Sequence, residues 1–154
     1  ARVLISADAL WENGFGIVFP ELEGNDAFDE VADTLDLIES LDPLTIVPGH
    51  GAVFNDTSGA LVRARGRLDQ FVQNPEKHRR HALKVLIKFK LLEWQTVSWA
   101  QLFDWYVSTP YIARIEHRSS ASTELEMRLS LDSLIDDLVG RKVLDRKGDQ
   151  LINI

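Results

Sequence analysis

The chain has 154 residues, of which 45% are hydrophobic and 27% are charged, and its formal net charge is −7. This composition suits one globular domain or two small ones, and the acidic balance disfavours nonspecific coating of nucleic acid. The absence of cysteine excludes disulfides and thiolate metal sites. No apolar run approaches the ~20 residues that cross a bilayer, so no membrane partner is expected. The sequence leaves the compartment open, and a cytoplasmic setting is the default expectation.

The chain begins with alternating strand and helix patterns. Apolar residues 3–5 predict a buried strand, and residues 10–24, with several glycines and a proline, predict an extended loop. Asn25 or Asp26 is then a candidate cap for a helix over residues 27–41. The apolar residues at helical spacing, which predict its buried face, are Phe28, Val31, Leu35 and Ile38.

A second short apolar run, residues 44–47, breaks at a Pro-Gly pair and is followed by His50. Glycines on both sides leave the backbone of His50 free to bend and its imidazole unobstructed, as a ligand of a metal or substrate requires. Asp8 follows the first strand in the same way. Two neighbouring strands of one sheet would bring Asp8 and His50 to the same rim. An ordinary turn histidine is the alternative interpretation.

These two segments resemble the last two metal-binding segments of hydrolases of the metallo-β-lactamase superfamily. The first is Ser-Ala-Asp8 with the downstream glycines Gly14 and Gly16, and the second is Val-Pro-Gly-His50-Gly. The resemblance extends from Ala1 to about Asn74. It implies that Asp8 bridges two zinc ions and that His50 completes the coordination of the second ion.

The resemblance also implies that the aromatic residues after Asp8 lie near the pocket for a small-molecule substrate. Trp11 and Phe15 are the candidates for substrate contact, and packing in the core is the alternative for both. The metal-activated water of such an enzyme would attack an ester, thioester, lactone or amide. No residue of this chain favours one of these four substrate classes over the others.

The chain departs from the family in one respect that matters for activity. It has no His-x-His-x-Asp-His run, and its histidines are His50, His78, His81 and His117. A catalytic zinc site needs about three protein ligands and an open position, whereas this chain offers two. We therefore expect the C-terminal part of a longer enzyme, with the remaining ligands and the general acid in an N-terminal part. The isolated chain, without a catalytic residue of its own, is expected to be inactive.

The second half of the chain predicts a different architecture. Asp56 or Thr57 is a candidate cap for a helix over residues 58–73, and Asn74-Pro75 marks a domain boundary, which gives domains 1–75 and 76–154. A helix is predicted over residues 76–94. A second begins at the capping box Ser98-x-x-Gln101 and ends at Thr109-Pro110, and a third covers residues 122–139, with Gly140 just after its end. The chain then forms a hairpin whose turn is predicted at residues 145–149.

Helices followed by a hairpin are the layout of a winged helix. The predicted fold is thus the C-terminal portion of a metallo-β-lactamase αβ/βα sandwich followed by an α+β winged-helix domain, which also resembles a domain appended in one subgroup of the superfamily. The last predicted helix carries Asp132, Asp136 and Asp137. Phosphates would repel these carboxylates, so sequence-specific DNA binding is not expected.

Two other functions stay open at this stage. Residues 63–90 are rich in Lys and Arg. They predict either an RNA-binding surface, as in an RNA-processing nuclease or RNA-binding module of the same superfamily, or ordinary helices. In the second case the aliphatic parts of the Lys and Arg side chains cover apolar surface and the charged ends face solvent. The chain could also be a structural fragment without catalysis. His78 and His81, three positions apart, are a possible metal pair, and ordinary surface or interdomain contacts are the preferred alternative.

Overall fold

The computed structural model describes residues 2–24 and 27–154, and the chain divides into two compact units, Ala1–Pro75 and Glu76–Ile154. Each unit combines helices with short strands, so the expected mixture of α and β structure is confirmed at that coarse level. Within the described residues, none of the helices has the length and apolar character needed to cross a bilayer.

The first unit alternates strands and helices as the sequence predicts, but its first strand is not the buried one predicted, because Val3 and Ile5 are 54% and 78% exposed. Its elements are β1 (Val3–Ala7), α1 (Pro20–Glu23), α2 (Ala27–Leu41), β2 (Thr45–Pro48) and α3 (Thr57–Gln73). The predicted loop over residues 10–24 is wrong in one part, because Pro20 begins the short helix α1, where its fixed φ suits the first helical position. The candidate caps Asn25 and Asp26 lie outside the described residues.

The strands β1 and β2 pair in parallel, with Val3 opposite Thr45 and Ile5 opposite Val47. The register shifts after Ile5, where Ala7 takes a left-handed φ of 45° and pairs with Pro48. In a parallel pair the C-terminal ends of both strands lie at the same edge. Whatever follows β1 and β2 in the chain therefore starts from one edge of this sheet.

The core of the first unit joins α2, α3, β2 and the loop after β1. Helices α2 and α3 pack against each other, and each fully buried Leu, Ile or Phe side chain contributes about 1.5–3 kcal/mol relative to exposure. Phe28 and Val31 are partly buried against this cluster. Its larger buried members are Leu10, Phe15, Leu35, Ile38, Ile46, Phe54, Leu61, Leu68 and Phe71.

The N-terminus of α3 is capped by one of the two predicted candidates. The carboxylate of Asp56 accepts a hydrogen bond of 3.0 Å from the backbone N–H of Gly59. This bond satisfies one of the backbone donors that the first turn leaves without an intrahelical partner.

The second unit contains helices followed by a hairpin. Its elements are α4 (Pro75–Trp94), β3 (Thr96–Ser98), α5 (Trp99–Ser108), α6 (Pro110–Ile115), α7 (Glu124–Gly140), β4 (Leu144–Lys147) and β5 (Gln150–Asn153). Strand β5 lies between β3 and β4 and is antiparallel to both. A hairpin is confirmed, but its turn is only Gly148-Asp149 and not the predicted 145–149, because residues 145–147 belong to β4. Strand β3 was not predicted, because three residues are too few for a reliable pattern.

Two details at the ends of these helices differ from the sequence prediction. Pro110 does stop α5 but it also begins α6, so Thr109-Pro110 is a junction between helices. Gly140 is the last residue of α7, and the left-handed conformation follows two residues later at Lys142, with a φ of 57°. The capping box of Ser98 and Gln101 is confirmed.

A buried polar cluster joins three parts of the second unit. Tyr106 of α5 is fully buried, and its hydroxyl contacts the carboxylate of Glu116, just after α6, and the hydroxyl of Ser130 in α7. Arg118 pairs with the same carboxylate. Burial, together with the hydrogen bond to Glu116, raises the pKa of Tyr106. The cluster ties α5, the α6–α7 connection and α7 together.

Candidate metal centre

Asp8 lies in a tight turn directly after β1. The backbone N–H of Ala9 donates to the carbonyl of Ser6 at 2.9 Å, and the buried Ser6 hydroxyl donates to the carbonyl of Leu10 at 2.6 Å. The N–H of Gly16 donates to the carbonyl of Asp8 itself at 2.7 Å. These bonds fix the backbone on both sides of Asp8, so its carboxylate starts from a defined position.

Two glycines pack directly against Asp8. A Cβ added to Gly16 would lie 2.8 Å from the Cβ of Asp8, and a Cβ added to Gly49 would lie 2.7 Å from Asp8 Oδ1 and 3.1 Å from the carbonyl carbon of Ala7. The N–H of Gly49 also donates to the carbonyl of Ala7 at 2.8 Å. The sequence suggests backbone freedom as the role of the glycine before His50. The structure instead shows that Gly49 supplies space for Asp8.

His50 emerges from this turn beside Asp8. Its Nε2 lies 3.9 Å from Asp8 Oδ1, and the two side chains are 72% and 66% exposed. The structure therefore brings together the two residues that the sequence proposes as metal ligands, and it leaves both accessible from solvent.

Trp11 contacts both of these side chains. Its indole Nε1 donates to Asp8 Oδ1 at 3.3 Å, and its ring meets the imidazole of His50 edge-on, with 5.1 Å between the ring centroids. Phe15, the other aromatic candidate, is 2% exposed and packs against Phe71 in the core. The sequence offered no signal for the double contact of Trp11, because it depends on a turn closing over residues 11–14 and on the position of β2.

The donor atoms suit zinc in kind and in spacing. Zinc binds histidine nitrogen and carboxylate oxygen at about 2.0–2.2 Å, so tetrahedral coordination separates two donor atoms by about 3.4 Å. The observed 3.9 Å between Asp8 Oδ1 and His50 Nε2 exceeds this by about half an ångström, a difference that two exposed side chains can close by small rotations. Over residues 2–24 and 27–154, no group of three or more His, Asp or Glu side chains is arranged to hold a metal. The pair therefore supplies two of the about three protein ligands that a catalytic zinc site needs.

Helix α3 supports the loop that carries Trp11 and Phe15. Arg63 Nε donates to the carbonyl of Glu12 at 2.7 Å. The guanidinium carbon of Arg67 lies 5.3 Å from the centre of the Phe15 ring, and a Cβ on Gly14 would come within 2.8 Å of Arg67 Nη1. Burial lowers the pKa of Arg67. The sequence placed these arginines on a solvent-facing side and missed this supporting role.

Many of the basic side chains in residues 63–90 have acidic or polar partners within their own unit. Arg65 pairs with Asp36 and Glu39, each at 2.7 Å. Lys84 pairs with Asp137 at 2.5 Å. Other partners within the units are Asp56 for Arg63, Ser133 for Arg80, Asn153 for Lys88 and Glu93 for Lys90. The segment is therefore less free to bind phosphate than its composition suggests.

The possible metal pair of His78 and His81 has a different environment. His78 is a buried residue of α4, 1% exposed, and His81 is half-buried one turn later. Both take part in contacts within the protein. The burial of His78 contradicts surface contacts for that residue. No protein-family model and no curated protein matches this chain.

Proposed function

We propose that Asp8 and His50 are two ligands of the zinc centre of a hydrolase that resembles the metallo-β-lactamase superfamily. The single observation that carries the proposal is the approach of Asp8 Oδ1 to His50 Nε2 within 3.9 Å, across forty-two positions of sequence. The two glycines packed on Asp8 support it, since they leave the room that this approach requires.

The architecture supports the fold that this proposal implies. In chain order, β1, α2 and β2 form a strand–helix–strand unit with parallel strands, as the C-terminal part of an αβ/βα sandwich requires. Residues 1–75 are therefore proposed as the C-terminal part of such a sandwich. Residues 76–154 are proposed as a winged-helix domain, supported by helices that precede a hairpin and by the strand order β3-β5-β4.

The residues of this chain have distinct roles in the proposed centre. Zinc, when bound, lowers the pKa of a water molecule and polarises the carbonyl oxygen under attack. Asp8 supplies a carboxylate oxygen, His50 supplies imidazole Nε2, and Trp11 orients the carboxylate through its indole N–H. The further ligands and the general acid are assigned to an N-terminal part of the parent enzyme, as the resemblance implies.

One test reads the coding sequence upstream of Ala1. The proposal expects a His-x-His-x-Asp-His run and a further histidine in the same reading frame. An upstream frame that encodes neither would contradict the assignment to this superfamily.

A second test measures zinc-dependent hydrolysis of p-nitrophenyl acetate by the parent protein. Asp8→Ala should lower kcat/KM by more than about 100-fold, because even the loss of a residue that only hydrogen-bonds to a metal ligand typically costs about 10–100-fold in activity. Asp104→Ala, at an exposed carboxylate of α5, is the matched control and should leave the rate unchanged. Full activity with normal zinc content in Asp8→Ala would refute the role of Asp8.

The RNA-binding alternative has less support. An RNA surface needs basic side chains that release counterions when they meet phosphates, and Arg65 and Lys84 instead face carboxylates. Residues 1–59, which hold Asp8 and His50, contain one basic and twelve acidic side chains. A polyanion would be repelled from this part of the protein.

A further inference from the structure

A pocket of about 200 Å³ opens beside Asp8 in the first unit. Asp8 lines one wall, so the pocket adjoins the side chain that the proposed zinc centre uses. Most of the remaining wall is apolar and comes from the loop after β1 and from α2. These apolar residues are Ala9, Phe15, Val18, Ala27 and Val31.

The polar part of the wall is acidic. Glu23 and Glu30 line the pocket together with the hydroxyl-bearing Thr34, and no basic side chain is among the described lining residues. Both glutamates are exposed, and neither has an ion-pair partner in the part of the chain that the structure describes. Nearly all the cations of the unit lie on α3, where Arg63 and Arg65 already face carboxylates. A ligand that brings a positive charge would therefore find two carboxylates available.

The size of the pocket limits what enters it. One water-sized group occupies about 30 Å³, so 200 Å³ holds about seven such groups. A short unbranched alkyl chain fits this volume and the apolar wall, and a charged end group would remain at the rim beside Glu23 and Glu30.

We propose that this pocket binds a short aminoalkyl group, that is, an aliphatic chain of about five carbons ending in an ammonium. If the proposed hydrolase function holds, on which this step rests, the substrate is an ester or amide that carries such a group on one side of the scissile bond. Water adds across that bond and gives a carboxylic acid and an alcohol or amine. RNA and other polyanions are excluded from the pocket by the same carboxylates.

The test is a zinc-free titration of the 154-residue chain, with a chelator present, followed by NMR of the methyl groups of Val18, Val31 and Thr34. The probes are n-pentylammonium, 1-pentanol and pentanoate, which are similar in length and differ in charge. The proposal expects n-pentylammonium to bind most tightly, 1-pentanol more weakly and pentanoate weakest. Equal affinity for pentanoate and n-pentylammonium, or shifts confined to other methyl groups, would overturn it.

Two double variants separate the local carboxylates from net charge. Glu23→Gln with Glu30→Gln should lower the affinity for n-pentylammonium about three- to tenfold, towards that of 1-pentanol, with the carboxylate of Asp8 left in the wall. Asp29→Asn with Asp33→Asn removes the same charge from exposed positions of α2 that do not line the pocket, and should change the affinity less than twofold. Equal losses in both double variants would contradict a local role for the glutamates.

A third variant tests the pocket itself. Val31→Phe fills the space from the α2 side and should abolish binding of all three probes, provided that the dispersion of its amide resonances shows a folded chain. If it is unfolded, Thr34→Val keeps the volume and should leave n-pentylammonium binding unchanged. Zinc is absent from all these titrations, so they test the pocket independently of the metal centre. A protein that binds n-pentylammonium but fails the zinc tests would refute the hydrolase proposal and leave the pocket proposal standing. A protein that passes the zinc tests but does not bind n-pentylammonium would refute the pocket proposal alone.

Discussion

Trp11 holds both proposed ligands, since its indole N–H donates to Asp8 and its ring edge meets His50. Hydrogen bonds donated to a ligand side chain orient it before the metal binds, and their loss typically costs about 10–100-fold in metal affinity. A single residue that touches both donors therefore has more influence on the site than its sequence position suggests.

The first prediction removes the N–H of Trp11 and keeps an aromatic ring. Trp11→Phe should lower the affinity of the chain for Zn²⁺ about tenfold, as measured by isothermal titration calorimetry. Trp94→Phe in the second unit is the matched control and should bind Zn²⁺ as the natural chain does. An unchanged affinity in Trp11→Phe would show that the indole does not orient Asp8.

Asp137 in α7 illustrates a second residue whose surroundings set its charge. The hydrogen bond from Lys84, and then that from Arg141, lower its pKa from 3.8 to about 2. A carboxylate whose folded-state pKa is depressed contributes stability above its unfolded pKa, and the contribution is lost as pH falls through the folded pKa. The stabilisation by Asp137 is thus fully present above about pH 4 and disappears towards pH 2.

The second prediction follows from that pH window. Asp137→Asn should be less stable than the natural chain at pH 7, and its stability should fall less between pH 4 and pH 2, in urea denaturation at each pH. Asp136→Asn, at the neighbouring exposed position, should keep the natural pH dependence. Parallel stability curves for Asp137→Asn and the natural chain would contradict the pairing with Lys84.

At the scale of elements, the turn between β2 and α3 matters because it packs on the turn after β1. A Cβ added to Gly49 would displace the carboxylate of Asp8 and press on the backbone of Ala7, at 3.1 Å from its carbonyl carbon. A Cβ added to Gly66 in α3 would meet no atom within 4 Å outside its own helix backbone. The two glycines therefore have opposite expected responses to alanine.

The third prediction compares these glycines. Gly49→Ala should destabilise the first unit by about 1–3 kcal/mol, as overpacking does, and should weaken Zn²⁺ binding because Asp8 must move. Gly66→Ala should stabilise it by about 0.5–1 kcal/mol, since alanine is favoured over glycine inside a helix. Urea denaturation measures both changes. A neutral Gly49→Ala variant with natural Zn²⁺ affinity would contradict the close approach.

Much of the element layout could be predicted because local patterns determine it. The apolar spacing of Leu35 and Ile38 and the capping box of Ser98 and Gln101 both act within a few residues. The contacts of Trp11 and Arg67 could not be predicted, because they join segments far apart in sequence. Pro110 ends α5 as predicted, but its second role as the first residue of α6 was not predicted, because a proline that ends one helix can equally begin another.

At the scale of the whole molecule, charge is distributed unevenly along the chain. Residues 1–59 are strongly acidic, whereas residues 60–99 contain nine basic and three acidic side chains. The pairing of Arg65 with Asp36 and Glu39 shows that part of this asymmetry is neutralised inside the first unit. Sequence composition alone cannot reveal such pairing, because the partners lie on different helices.

The fourth prediction concerns nucleic acid. A 20-nucleotide single-stranded RNA should bind with a Kd weaker than about 100 μM in 150 mM salt, the weak end of nonspecific binding, as measured by fluorescence anisotropy. The double variant Asp36→Asn with Glu39→Gln releases Arg65 and should bind more tightly at 20 mM salt. Micromolar, strongly salt-dependent binding by the natural chain would favour the RNA-binding alternative instead.

Whether Asp8 and His50 bind the same ion can be measured most directly by NMR with Co²⁺ in place of Zn²⁺, because its unpaired electrons shift the signals of the nearest protons. If they share one ion, as proposed, the ring protons of His50 and the Cβ protons of Asp8 shift together along one saturation curve, and Asp8→Ala or His50→Ala abolishes both responses. Shifts at His50 without shifts at Asp8, or stronger shifts at His78, His81 or His117, would contradict a shared ion.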